Sequence, residues 1–201
     1  MRHQQSGDSM DGVVNVLKPP GMTSSDVVAE IRRIFETKKV GHTGTLDPGA
    51  AGVLPVCIGK ATRLFDFLVD KKKVYIGEVS FGKRTDTQDS YGAVTLAYDY
   101  SHISETQLRK AIEGFVGSYH QTVPMYSAVK YKGQKLYELA RKNISIERQT
   151  REVEIYAIDY LCSTGPQRFL LRIECSKGTY IRALMEDIGS ELNTYAHLSF
   201  L

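Results

Sequence analysis

Apolar residues recur along this chain at two spacings, and those spacings separate strands from helices. Val13–Leu17 is a short apolar run that stops at the Pro19–Pro20–Gly21 turn and predicts a strand. Thr23, Ser24 and Ser25 offer N-caps for a helix whose apolar positions Val27, Val28, Ile31, Ile34 and Phe35 fall at helical spacing. A glycine-rich loop, GHTGTLDPGAAG, occupies residues 41–52. Val53–Ile58 then reads as a buried strand, Lys60–Leu68 as a helix with Ala61, Leu64, Phe65 and Leu68 on one face, and Val74–Phe81 as a strand. The polar turn RTDTQDSYG leads to another strand at Ala93–Tyr98. Ser104 and Gln107 have the spacing of a capping box, opening a helix with Leu108, Ala111, Ile112, Phe115 and Val116 that Gly117 stops. QTVPMYSAVKYKG is strand-like but broken by Pro124, and a basic helix covers Leu136–Arg141. Val153–Cys162 and Phe169–Cys175 pair through the STGPQ turn, and a last helix from about Thr179 buries Ile181, Leu184, Met185 and Ile188.

Strands outnumber helices and do not alternate strictly with them. The predicted class is therefore α+β, with a mixed, largely antiparallel sheet flanked by helices rather than a Rossmann sheet. No linker, repeat or low-complexity tract divides the chain, so residues 12–201 are read as one domain behind a polar leader, residues 1–11, expected to be disordered. That leader has no apolar core, and no apolar run approaches a membrane span, so no membrane association is expected. Cys57, Cys162 and Cys175 are odd in number and widely spaced, which argues against a disulfide framework or a zinc site and suits a reducing cytoplasm.

Charge adds one feature. The net charge is only +3, yet Lys130, Lys132, Lys135, Arg141, Lys142, Arg148 and Arg151 face only Glu138 and Glu147 within that segment. Arg32, Arg33, Lys38 and Lys39 form a second group just before the glycine loop. Grouped basic residues are the footprint of a polyanion such as nucleic acid, although a solvated helix face has the same composition.

The glycine loop does not fit the common phosphate and hydrolase motifs. Six residues rather than four separate Gly52 from Gly59–Lys60, and Ala61 stands where a phosphate loop needs Ser or Thr. No GxGxxG, zincin His/Glu spacing or GxSxG occurs. Asp47 remains. As turn vocabulary, Asp–Pro–Gly needs no chemistry, since the carboxylate caps the turn through a backbone N–H. Alternatively, Pro48 keeps Asp47 out of the α region and the glycines admit a flat ligand close to the main chain. A carboxylate so presented acts as a nucleophile or stabilises a developing cation. Spacing alone leaves both readings open.

Five motifs together carry a resemblance. GHTGTLDPGAAGVLPVCIGKATRLF resembles the catalytic motif of the TruB-type tRNA pseudouridine synthases. LKPPGMTSSDVV precedes it, and KKKVYIGEVSFGKRTDTQDSYG, VPMYSAVKYKGQKLYELAR and CSKGTYIRALMEDIG follow in the family's order and spacing, so the likeness covers Gly12 to Leu201. It implies the pseudouridine synthase fold and isomerisation of uridine to pseudouridine in the T-loop (TΨC arm) of tRNA, at uridine 55 in tRNA numbering. It also implies that Asp47 is the catalytic nucleophile. Attack at ribose C1′, attack at uracil C6 and a glycal route stay open. Tyr75 matches the tyrosine that stacks on the target uracil and takes the C5 proton. Arg182 matches the arginine paired with the catalytic aspartate, and Asp89 matches a second acid on that arginine. His42 fills space in the T-loop once the uridine is extruded. Tyr180 lines the uracil pocket, Leu201 stands where an apolar residue packs on the target base, and Lys18 and Pro19 support the active-site loop.

The same resemblance implies a cytoplasmic monomer that acts on the tRNA T-arm with no cofactor, no metal, no membrane and no obligatory protein partner. Against the family's pattern, the chain reads as C-terminally truncated, without the PUA-type domain and the strand after the active site, and with Leu201 too mobile to pack well. The alternative reading is a catalytically crippled RNA-binding or tRNA-folding fragment. Enzymes of guide-RNA particles carry a similar GHxGTLDP loop, but the compact spacing and absence of long basic tails favour a stand-alone enzyme.

Overall fold

The computed structural model describes residues 10–98 and 103–201. Of the leader expected at 1–11, residues 1–9 lie outside the described residues. Asp11 is engaged: its carboxylate accepts the Lys60 backbone N–H at 2.6 Å and pairs with the Lys60 ammonium at 3.5 Å. The stretch read as one domain contains two compact units, Met1–Lys71 and Lys72–Leu201.

The first unit contains β1 (Gly12–Lys18), α1 (Ser24–Ile34), β2 (Val40–His42), β3 (Gly52–Ile58) and α2 (Phe65–Val69). Its sheet runs in the order β1-β3-β2 with antiparallel pairing throughout, Val16 opposite Leu54 and His42 opposite Val56. Thr23 starts α1 through a capping box: its hydroxyl accepts from the Asp26 N–H at 3.1 Å, and the Asp26 carboxylate accepts the Thr23 N–H at 2.8 Å. The apolar stripe this creates, Val27, Val28 and Ile31, packs with Val40, Leu54, Val56 and Ile58. The helix expected over Lys60–Leu68 is corrected. A 3-10 segment, Gly59–Leu64, precedes the short α2, none of its residues is buried, and Phe67 is 74% exposed. The Thr62 hydroxyl bonds back to the Gly59 carbonyl at 2.8 Å, which closes the tighter turn and competes with a regular helix start.

The second unit contains β4 (Lys73–Phe81), β5 (Lys83–Thr85), β6 (Val94–Ala97), α3 (Glu105–Glu113), β7 (Gly117–Thr122), β8 (Lys130–Tyr131) and β9 (Gln134–Lys135). It continues with α4 (Leu136–Ala140), β10 (Thr150–Gly165), β11 (Arg168–Cys175), α5 (Ile181–Glu191) and β12 (Ala196–Phe200). Its main sheet has the order β12-β4-β11-β10-β7, every pair antiparallel, as the α+β reading expected. One face packs on α3 and α5 through Val79, Phe81, Leu108, Ile112, Leu171, Ile173, Leu184, Met185 and Ile188. Gly189 lets α5 lie close to β12, because a Cβ there would stand 2.7 Å from the Ala196 Cβ.

Three expectations change here. GSYHQT forms β7 although it is polar, while the strand expected from Gln121 onward stops at Thr122. A β8–β9 hairpin follows, turning at Lys132 and Gly133, both at positive φ as a two-residue hairpin requires. Finally, a strand does follow α5: β12 pairs with β4, and Leu201 beyond it is half-buried against the main core rather than loose.

Candidate active site

In the first unit the loop between β2 and β3 presents Asp47. The main chain is tied on both sides of it. Leu46 is held through the Ser24 hydroxyl, which accepts its N–H at 3.0 Å and donates to its carbonyl at 3.2 Å. The Ala50 N–H closes the Asp–Pro–Gly turn on the Asp47 carbonyl at 3.0 Å, and the Pro48 carbonyl accepts the Gly21 N–H at 2.8 Å. Beneath it Lys18 is 0% exposed, and its ammonium donates to the carbonyls of Pro19 at 3.0 Å, Met22 at 2.7 Å and Pro48 at 3.3 Å. All three N–H donors are thereby used. Burial pulls the Lys18 ammonium below its ordinary pKa, while the carboxylates of Asp47 and Asp26 oppose that shift. A buried positive charge therefore stands at the base of the loop, within electrostatic reach of Asp47.

His42, at the end of β2, is half-buried, and its Nδ1 has no hydrogen-bond partner among the described residues. Gly41 and Gly44 flank the same stretch. A Cβ built on either would meet no atom within 4 Å, so packing does not exclude side chains there. What the glycines leave is open room over the main chain.

In the second unit Tyr75 lies on β4 opposite Ile173 and packs, half-buried, against the main core. Tyr180 is the N-cap of α5, and Arg182 sits in its first turn, 4% exposed. The Arg182 guanidinium donates to the Thr87 carbonyl at 3.1 Å and to the Tyr126 carbonyl at 2.6 Å, tying two loops to the helix. The Tyr180 ring centroid lies 5.6 Å from the guanidinium carbons of both Arg151 and Arg182, within cation–π range. The expected direct pairing of Asp89 with Arg182 is replaced by an indirect one. The Asp89 carboxylate accepts from the Thr87 hydroxyl at 2.6 Å and the Tyr91 N–H at 3.0 Å, and Thr87 in turn offers its carbonyl to Arg182.

The structure thus joins Lys18, Pro19 and Asp47 around one loop, and Tyr180, Arg182 and Asp89 around the start of α5. Tyr75 and Leu201 pack on the main core of the second unit. Four supports escaped the sequence reading: Ser24, the Thr87 and Tyr126 carbonyls, and Gln121, whose amide bonds Tyr180. The first was visible only as a helix cap, and the carbonyls belong to no residue type. The basic segment forms a tyrosine–cation surface. The Lys132 and Lys135 ammonium groups each lie 5.4 Å from a tyrosine ring centroid, those of Tyr131 and Tyr137, and the Arg141 guanidinium lies 5.3 Å from that of Tyr137.

Among the described residues, no group of three or more His, Cys, Asp or Glu side chains is placed to hold a metal ion, and no helix is long and apolar enough to cross a membrane. The cysteines are unbridged, Cys57 and Cys175 buried and Cys162 exposed.

A family model described as "TruB family pseudouridylate synthase (N terminal domain)" matches residues 32–181. Among curated proteins, tRNA pseudouridine synthase B of Pelotomaculum thermopropionicum is 52% identical over 196 residues, spanning 96% of this chain and 62% of the relative. Its namesake in Symbiobacterium thermophilum is 49% identical over 199 residues, spanning 98% of this chain and 67% of the relative. The chain thus spans about two thirds of the length of these relatives. Among solved structures, a chain in the crystal structure of a Cbf5-Nop10-Gar1 complex superposes with a TM-score of 0.72 at 33% identity, covering 94% of this chain and 46% of that one. A chain in an H/ACA RNP bound to a substrate RNA containing 2′-deoxyuridine superposes with a TM-score of 0.67 at 30% identity, covering 94% and 45%.

Proposed function

We propose, from the premise that this chain belongs to the TruB family of pseudouridylate synthases, that it isomerises uridine to pseudouridine in tRNA, at the T-loop uridine. In that reaction the C1′–N1 bond breaks and the freed base rotates. A C1′–C5 bond then forms, C5 gives up its proton and N1 gains one. Atoms and electrons balance within the nucleotide, so the reading needs no redox cofactor.

The observation that carries the reading is the restraint on the Asp47 loop. A carboxylate that must meet one atom of an extruded nucleotide gains from a main chain fixed before binding, because the geometry costs nothing further at the moment of reaction. The bonds to Leu46, Pro48 and Ala50 supply that fixity, and the room over Gly41 and Gly44 suits a flat base. In this reading Asp47 is the nucleophile, Tyr75 stacks on the uracil and takes the C5 proton, and Arg182 is the cation assigned to the carboxylate. Tyr180 lines the uracil pocket. His42 fills the space the base leaves, and Leu201 packs against the base. The protein works in the cytoplasm as a monomer, without an obligatory protein partner.

The tyrosine–cation surface of the β8–β9 hairpin and α4 favours a second reading, an RNA-binding piece without turnover. Tritium release from C5-labelled uridine in a T-arm transcript separates the two. The enzyme reading expects release by the wild-type chain and none by Asp47→Ala. Transcript binding without release by the wild-type chain leaves only the second reading.

A further inference from the structure

Gln121 is a full-length polar side chain with 0% exposure, set in a strand, β7, that is otherwise polar. Its amide also meets the phenol of Tyr119 on the same strand, but both of its ends engage one distant residue. The Oε1 accepts the Tyr180 N–H at 2.8 Å, and the Nε2 donates to the Tyr180 carbonyl at 3.0 Å. This is the two-bond exchange by which facing residues of antiparallel strands pair, made here by a side chain. It holds Tyr180 extended, at φ −96° and ψ 105°, at the point where the chain enters α5.

No side chain of Tyr180 itself caps the helix, and the carbonyl held by Gln121 also accepts the first helical bond, from the Leu184 N–H at 3.1 Å. The amide therefore fixes where the first turn begins. Arg182 lies two residues further on, and from that first turn it bonds the Thr87 and Tyr126 carbonyls.

We infer that Gln121 is a positioning residue, whose amide sets the Tyr180 peptide and through it the Arg182 guanidinium. The inference rests on the reading of Tyr180 and Arg182 as site residues for pseudouridine formation. A core amide with a merely structural role would also be buried and bonded, but its loss would lower stability without moving Arg182 or the chemical step.

The test uses Gln121→Met, which keeps the volume and removes both bonds, beside Gln121→Glu, which keeps the acceptor for the Tyr180 N–H and lacks the donor. Ile112→Val, which trims the core on α3, controls for general loosening. Two quantities are read: the side-chain 15N NMR signal of Arg182, assigned with Arg182→Lys, and the kcat and KM of tritium release. The inference predicts that the Arg182 signal shifts in Gln121→Met and shifts less in Gln121→Glu, while Ile112→Val leaves it in place. It also predicts that kcat falls roughly tenfold or more in Gln121→Met with KM within about twofold, the pattern of lost alignment rather than lost binding. An unmoved Arg182 signal, or an unchanged kcat, overturns it. If Gln121→Met does not fold, the Gln121→Glu signal decides in the same two directions. Should the wild-type chain release no tritium, the functional reading falls, and the Arg182 signal alone decides the role of Gln121.

Discussion

Replacing Lys18 by Met removes a buried charge while keeping the length and volume of the side chain. Two terms oppose each other. The ammonium is fully buried, so methionine relieves a desolvation cost, in keeping with the lowered Lys18 pKa. Against that, the carbonyls of Pro19 and Met22 lose the donor that binds them at 3.0 and 2.7 Å, whereas Pro48 keeps the Gly21 N–H. Pro19 is exposed, so water can reach its carbonyl, and the cost falls mainly on the carbonyl of half-buried Met22, about 1–3 kcal/mol, of which relief of desolvation returns part. The expected net loss is roughly 1–2 kcal/mol, or about 2–8 °C in Tm for a chain of this size. Lys18→Arg should not rescue it, because the guanidinium is too wide for a site that closes around one ammonium. Thermal and urea unfolding check the magnitude, and tritium release checks the loop. A Lys18→Met protein that unfolds with the wild type and turns over at the wild-type rate would refute the claim that this ammonium holds the Asp47 loop.

Three further outcomes follow from the same geometry. Gly44→Ala meets no atom, so stability should hold or rise by about 0.4–1 kcal/mol, while turnover falls if a base uses that room; equal turnover would remove the glycine argument. In alkali, burial pushes the Cys175 thiol from 9.0 up to about 11, and burial first, with the bond to Asp187 second, also raises the Tyr119 phenol. Both acids hold their protons longer when folded, so their stabilisation is present below pH 9 and lost as pH rises. For Cys175 this amounts to about 2 kcal/mol by pH 11, and the urea midpoint should fall less between pH 8 and pH 10 in Cys175→Ala than in wild type. Last, Lys130→Ala with Lys132→Ala should weaken tRNA binding and reduce its salt slope by about 1.5–2 if both lysines meet phosphates, which a filter-binding titration from low to high salt reads directly.

Elements whose signals are local were legible in the sequence. Thr23 and Ser104 cap helices where the Ser/Thr spacing indicated, and the strands at β1, β3, β4 and β11 follow apolar runs. β7 was not legible, because the order of GSYHQT comes from pairing with β10, about thirty residues away, and from the Gln121–Tyr180 bonds. β12 was missed for a related reason: a five-residue edge strand gains its stability from β4, not from its own pattern. The region after Gly59 failed in the opposite sense, since a helical spacing of Ala61, Leu64, Phe65 and Leu68 met no core to bury it. The same division holds for the site. Asp47, Lys18 and Arg182 carry distinctive side chains inside motifs, whereas much of what fixes Asp47 and Arg182 is main chain that no residue type announces: the carbonyls of Thr87 and Tyr126, and the amides of Gly21 and Ala50.

The central claim is that the Asp47 carboxylate performs the isomerisation. Its most direct test is position-resolved mapping of pseudouridine in a full tRNA transcript after incubation with the wild-type chain or with Asp47→Asn, which replaces only the charged carboxylate. The account predicts pseudouridine at the T-loop uridine with the wild-type chain, and none with a variant that still folds and binds tRNA. Conversion by Asp47→Asn at the wild-type rate, or modification at a different uridine, would contradict it.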